Sequence, residues 1–312
     1  MGTLVGHVAP GFGFLVIGLW HLFNHIKLHS MHPNSYCSRP WFPTSKLRHL
    51  ELYLIIFGSL GSISMELVIG PEKHNPFDDD GTIPSDHLHN FEHASISLAL
   101  LIYASFATVF DRVKPRLRDE MTMLLAAAAF GQQLLMFHLH SADHMGMEGQ
   151  YHWLLQTVIA VSLATSLLGV ALPRSFMVSF VRSVSIAFQG VWFVVMGFML
   201  WTPSLIPKGC FMNLEEGHTV VRCHTDAALH RAKSLVNLQF SWYMAATAVF
   251  SMLLFLFLAK VYPEEPQYLP LLKEAAREEG EEEEDLESQK KLMESGSFAH
   301  MGKRLRSIEL ER

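Results

Sequence analysis

"EHASISLALLIYASFATVFDRVKPRLRDEMTMLLAAAAFGQQLLMFHLH", residues 92–140, sets two apolar runs on either side of a short basic link. Each run, 92–110 and 121–140, is close to the ~20 residues that an α-helix needs to cross a hydrocarbon core of about 30 Å. The link between them carries Arg112, Lys114, Arg116 and Arg118. The stretch reads as a transmembrane hairpin, and the same criterion finds five further spans, at 4–25, 50–70, 151–172, 183–201 and 235–259. The expected fold is all-α: a polytopic membrane protein in which residues 1–262 form a bundle of seven transmembrane helices.

Composition agrees. Of 312 residues, 50% are hydrophobic and 17% charged, 22 are Phe, and the mean hydropathy is +0.21, which excludes an ordinary soluble domain. No basic stripe with interleaved aromatics is present, so membrane lipid rather than nucleic acid is the expected partner. The first span has no Asp, Glu, Lys or Arg from Met1 to Ile26, lacks a basic leader and an A-x-A site, and reads as a retained helix. Residues 263–312 hold 14 acidic and 8 basic side chains, against 16 of each in 1–262, so the net charge of −6 belongs to the tail. Its run "EEGEEEEDLE" (278–287) predicts a disordered, solvated segment, because like charges repel and nothing there builds a core. "YLPL" (268–271) fits a Y-x-x-apolar sorting signal, which makes sorting adaptors or other cytosolic proteins the expected partners of the tail.

Loop charge sets the expected orientation. The segments after the first, third and fifth spans and just after the seventh hold 11 Lys and Arg, and those after the second, fourth and sixth hold 5. The positive-inside rule then predicts a lumenal or extracellular N-terminus and a cytosolic C-terminus, in the endomembrane system or the plasma membrane.

That topology gathers twelve of the 18 histidines on the lumenal side. His7 opens the first span, Glu66 closes the second, and His87, His89, Glu92 and His93 open the third. His138, His140 and His144 close the fourth, and Glu148 and His152 open the fifth. Residues at i and i+4 share a helix face, so His89 with His93, and His140 with His144, are better ligand pairs than neighbours two apart. Neutral imidazole suits zinc and iron, and a carboxylate such as Glu66 can complete a mixed site. The candidate metal ligands are therefore His93, His138, His140 and His152, with His7, His89 and Glu66 beside them; zinc or iron is expected ahead of copper. His87 is expected in a solvated turn. A second group, His21, His25, His29 and His32 with His49 and Glu51, is expected nearer solvent on the cytosolic side. Gln132, Gln133 and Gln189 read as interhelical hydrogen-bond partners.

Other motifs are weak. His89–His93 spells the H-x-x-E-H of a zinc peptidase, but a five-residue match carries little by itself. His7 and His21 have the 14-residue spacing of di-haem membrane proteins, yet no second helix repeats it, which leaves room for one haem at most. Cys37, Cys210 and Cys223 show no C-x-x-C spacing. Cys210 and Cys223 share the last lumenal loop, where either a disulfide or two free thiols is compatible with the spacing.

Four stretches, "GHVAPGFGFLVIGLWH" (6–21), "NFEH" (90–93), "FHLHSADHMGMEGQYHWLL" (137–155) and "FQGVWFVVMGFML" (188–200), resemble the transmembrane protein 45 family, an uncharacterised multi-pass family of plants and animals. The likeness covers about residues 1–262, and the long tail looks like the plant branch. The resemblance implies a seven-helix endomembrane protein and places the family pattern on Gly6, His7, Pro10 and Gly11, on Asn90 and His93, on His138, His140 and His152, and on Gln189, Gly190, Trp192 and Phe193. Animal relatives carry N-W-Q-H at residues 90–93, so Glu92 and His89 depart from the wider pattern and the peptidase reading loses ground. The resemblance supplies no reaction. The leading expectation is a membrane protein with a histidine-rich lumenal site that binds a transition metal for redox or lipid-directed chemistry. The rivals are a proton or metal conduit and a non-catalytic membrane organiser that recruits partners through its tail.

Overall fold

Three side-chain caps open helices where the apolar runs begin. Thr3, Ser175 and Thr225 accept from the backbone N–H of Gly6, Val178 and Ala228, at 3.0, 3.3 and 3.2 Å, and each satisfies a donor that a helix start leaves unpaired. The computed structural model describes residues 3–70, 75–143, 146–215 and 218–264. In it the chain forms α1 (Leu4–Met31), α2 (Leu50–Ser64), α3 (Leu88–Val113), α4 (Arg118–Asp143), α5 (Met147–Ala171), α6 (Phe176–Trp201) and α7 (Asp226–Val261). Seven helices among the described residues are long and apolar enough to cross a membrane, as the sequence predicts. The bundle has an N-side end, where α1 starts, and a C-side end opposite it.

Two boundaries move in a way that matters. The expected sixth span starts at residue 183 because Arg182 stops an apolar window; α6 instead begins at Phe176 and carries Arg182 inside it. Arg182 therefore leaves the count of loop charges. The seventh helix begins at Asp226 rather than 235, its polar first turns extending beyond the apolar run. Between α3 and α4, Lys114 and Leu117 adopt left-handed backbone conformations (φ 54° and 58°) around Pro115, which reverses the chain within the basic link. Asp111 then accepts from Arg48 Nε and Nη2 at 2.8 and 2.9 Å and meets His49 Nε2 at 2.9 Å, which ties the end of α3 to the start of α2.

α2 through α6 pack as successive neighbours, α1 closes against α6, and α7 lies on α1, α5 and α6. The α1–α6 crossing is the tightest, and glycine is the reason. A Cβ on Gly18 would stand 2.3 Å from Ala187 N, and one on Gly190 2.3 Å from Leu15 N, so only residues without a side chain let these backbones meet. Within the core Trp192 is fully buried and donates its indole N–H to Tyr151 O at 3.0 Å, tying α6 to α5. Outward-facing side chains are apolar as well: Phe57 is 69% exposed and Phe257 63%, the surface that a hydrocarbon surround requires.

The loop after α6 adds what helical periodicity does not reveal, an antiparallel hairpin of β1 (Cys210–Glu215) and β2 (His218–Cys223). Register sets Cys210 opposite Cys223, and the two are disulfide-bonded. Arg222 hydrogen-bonds the Glu215 carboxyl and holds it down at about 2. Contacts within the chain separate 1–263 from 264–312. The expected disordered tail and its "YLPL" lie outside the described residues.

Candidate functional site

α1 and α2 make few contacts with each other, and a slot of about 650 Å³ lies between them, bounded behind by α3, α4 and α6. Its lining on α1 runs from Thr3 to His21, about 27 Å of helix at ~1.5 Å per residue, so the space is long and narrow. The walls are mainly apolar, with Phe14, Ile17, Leu54, Ile55 and Phe130 among them. Gly13, Gly58 and Gly61 also line it and face open space, where an added Cβ would meet nothing within 4 Å. Phe12 and Leu54 line the slot and are largely exposed, so it opens sideways between α1 and α2 onto the apolar surface of the bundle.

Polar groups close the C-side end. His21 Nε2 meets Glu51 Oε1 at 2.6 Å, and Glu51 Oε2 accepts from the backbone N–H of Phe42 at 2.9 Å. Beside them Arg182, 3% exposed, donates from Nη2 to Ser38 Oγ (3.1 Å), Arg39 O (3.4 Å) and His25 Nε2 (3.4 Å), and from Nη1 to Met123 Sδ (3.2 Å). A guanidinium has donors only, so His25 Nε2 is the bare nitrogen and Nδ1–H faces the Tyr36 oxygen at 2.8 Å. Burial pushes the Tyr36 phenol up to about 12, so it stays protonated. Gly169 makes room for the guanidinium, since a Cβ there would stand 2.7 Å from Nη1. Among the described residues no carboxylate pairs with Arg182, whose partners are a hydroxyl, a carbonyl, an imidazole and a thioether.

This cluster overturns the expectation that His21, His25 and Glu51 sit near solvent. All three are buried, because α1 runs on to Met31 against α6 and residues 36–42 fold back over its last turns. Arg182 was missed outright. The available signal was a lone charge seven residues into an apolar run and flanked by Ser179, Ser183 and Ser185, since an ionisable group inside a span is a functional candidate by default.

At the N-side end several of the expected metal ligands have polar neighbours: His93 Nδ1 is 3.4 Å from Glu66 Oε1, and His89 Nδ1 is 3.1 Å from Glu92 Oε2. His138 Nδ1 meets Gln156 Oε1 at 3.2 Å. His7 meets the backbone oxygen of Thr3 through Nδ1 at 3.0 Å, stacks on Trp201 at 4.5 Å and lies 6.1 Å from the His152 ring, which packs on Phe137. Among the described residues no three His, Cys, Asp or Glu side chains converge as an ion would require. The His140 side chain, His144 and the His218 side chain lie outside the described residues. His87 is buried at the base of α3, contrary to the solvated turn expected of it.

The residues placed by resemblance divide by role. Gly11 and Gly190 sit at the α1–α6 crossing, Gly6 and Pro10 line the slot, and Phe193 stacks with Phe14. Asn90 donates to the backbone oxygen of Glu66 at 2.8 Å, where α2 continues into a π turn (Met65–Ile69), a feature frequent at functional sites. Gln189 differs from expectation: it is fully buried, and neither amide atom has a hydrogen-bond partner among the described residues.

Residues 119–256, from the start of α4 through most of α7, match the model of a family described as a family of unknown function (DUF716). The matched segment includes Arg182, His138, His152 and the hairpin, while α1 and α2, the two lips of the slot, precede it.

Proposed function

We propose that this chain is a binding protein of the transmembrane protein 45 family that takes a hydrocarbon-chain molecule from the bilayer into the slot between α1 and α2. The observation that carries the reading is the slot itself: about 650 Å³, mainly apolar, as long as the membrane core is thick, and open sideways. An apolar cavity of that size in a bundle gains most from a ligand that buries hydrocarbon, which contributes roughly 25 cal/mol per Å² removed from water. Loop charge supports a lumenal N-side and a cytosolic C-side, which brings the polar Arg182 end of the slot to the cytosolic leaflet. Lipid extraction and mass spectrometry of the purified full chain should recover a chain-bearing molecule in near-stoichiometric amount. Gly61→Phe, which places a ring in open space on the slot wall, should lose it while the protein still elutes as a folded species. Equal recovery from both proteins would defeat the reading.

A second reading, a transition metal at the N-side end, has His93 beside Glu66 in its favour. Imidazole and carboxylate suit zinc or iron, and chemistry on a lipid in the same slot would follow from activation of water or oxygen there. It requires stoichiometric metal in the purified protein that falls in His93→Ala, and elemental analysis measures this directly.

A further inference from the structure

We infer that Arg182 receives the anionic head of a single-chain amphiphile, a fatty carboxylate or a chain with an equivalent oxyanion head, whose tail runs along the slot toward Glu66. The inference rests on the proposed occupancy of that slot and names the class of ligand.

A buried charge is costly unless an opposite charge meets it, and Arg182 is 3% exposed, within the span of α6, with no carboxylate paired to it among the described residues. Glu51 does not fill the role, because its oxygens are engaged by His21 and the Phe42 amide. Arg182 and Met123 both line the slot, and the Nη1 hydrogen bond ends on the Met123 sulfur, a weak acceptor. An oxyanion that displaced the sulfur would exchange a soft contact for a charge-assisted one, in the geometry for which guanidinium suits carboxylate and phosphate. Beyond this end the walls become apolar, so head and tail of one amphiphile are matched by position. The narrowness of the slot favours one chain over two.

The test is equilibrium binding of radiolabelled oleate and oleyl alcohol, equal in chain and different in head charge, to the full-length protein in phosphatidylcholine nanodiscs, corrected for empty discs. The wild type should prefer oleate by roughly tenfold or more, the usual worth of a charge-assisted hydrogen bond. Arg182→Gln should lose that preference and keep its affinity for the alcohol, and Arg182→Lys should retain part of it. Equal binding of the two probes by the wild type, which depends on no variant's folding, overturns the inference, as does an unchanged preference in Arg182→Gln. Acetate that competes as well as oleate would also overturn it, since the chain would then count for nothing. Gly61→Phe separates the two levels. If it abolishes both probes while the wild type fails to discriminate, the slot binds chains and Arg182 does not read the head; if the wild type binds neither probe, the slot reading itself falls.

Discussion

At the scale of the residue, the polar groups that matter are those that burial has made interdependent. His21 and Glu51 share a 2.6 Å bond with almost no solvent access, so removal of Glu51 strips His21 of that contact and also takes the acceptor from the Phe42 amide. Glu51→Ala should destabilise the protein by about 3–5 kcal/mol, the usual cost of breaking a buried pair from one side. The double variant His21→Leu/Glu51→Leu should recover part of that, because both side-chain desolvation penalties are then gone while the Phe42 amide still lacks its acceptor. Thermal unfolding in one detergent compares the three proteins, and a double variant no better than the single one would show that the pair is not the unit. Gln189 makes the opposite case. Both its amide atoms lack partners among the described residues, so Gln189→Leu should cost less than ~1 kcal/mol or raise the melting temperature. A loss of several kcal/mol would mean that the amide is bonded in the native protein.

At the scale of the element, glycines separate into two kinds. At the α1–α6 crossing a side chain collides with backbone, so Gly18→Leu or Gly190→Leu should abolish the monodisperse folded species in size-exclusion chromatography. Gly58 and Gly61 stand in helix α2 over open space, and Gly61→Ala should leave stability unchanged or raise it by up to about 1 kcal/mol, the helix-propensity difference. If the two classes behave alike, close packing is not what selects glycine at the crossing. In the hairpin, Arg222 holds the Glu215 carboxyl at about 2, below its ordinary value near ~4.3. A lowered carboxyl contributes stability that is complete above the ordinary value and lost as pH falls through the folded one. Carbon-13 NMR of the labelled Glu215 carboxyl should therefore titrate with a midpoint close to 2, and a midpoint above 4 would show that the contact does not persist in solution.

At the scale of the whole molecule, seven candidate spans among the described residues, an odd number, predict termini on opposite faces of a membrane, and loop charge predicts which face is cytosolic. A tag after Arg312 should be cytosolic, and one inserted beside Gly81, in the α2–α3 loop, should be lumenal. Protease protection in sealed microsomes reports both, and tags on the same side would contradict the odd number of spans. The bundle is closed at every neighbouring pair except α1 and α2, where the hydrogen bond between His21 and Glu51 links the lips at the C-side end. On the proposed reading a chain would enter the slot through the membrane plane, and a cross-link between cysteines placed at Val5 and Met65, both on the lining, should slow exchange of a bound chain.

The sequence by itself determined the number and order of the spans and the gathering of histidines at helix ends, because hydrophobicity summed over some twenty residues is a local property that any window along the chain can read. Its misreadings came where local information ends. A window that stops at a charge places Arg182 in a loop, whereas α6 keeps the side chain inside the bundle, against His25, 157 residues away in the chain. The i, i+4 rule sets His89 and His93 on one face, and each ring also meets a carboxylate, Glu92 on the same helix for His89 and Glu66 from a different one for His93. The disulfide between Cys210 and Cys223 depends on a hairpin register that spacing leaves open. The slot, the guanidinium at its end that no carboxylate pairs among the described residues, and the π turn at Glu66 are products of which helices meet and which stand apart. Tertiary structure alone decided that, because close approach of α1 and α6 at Gly18 and Gly190 commits α1 to α6 and leaves its contact with α2 open.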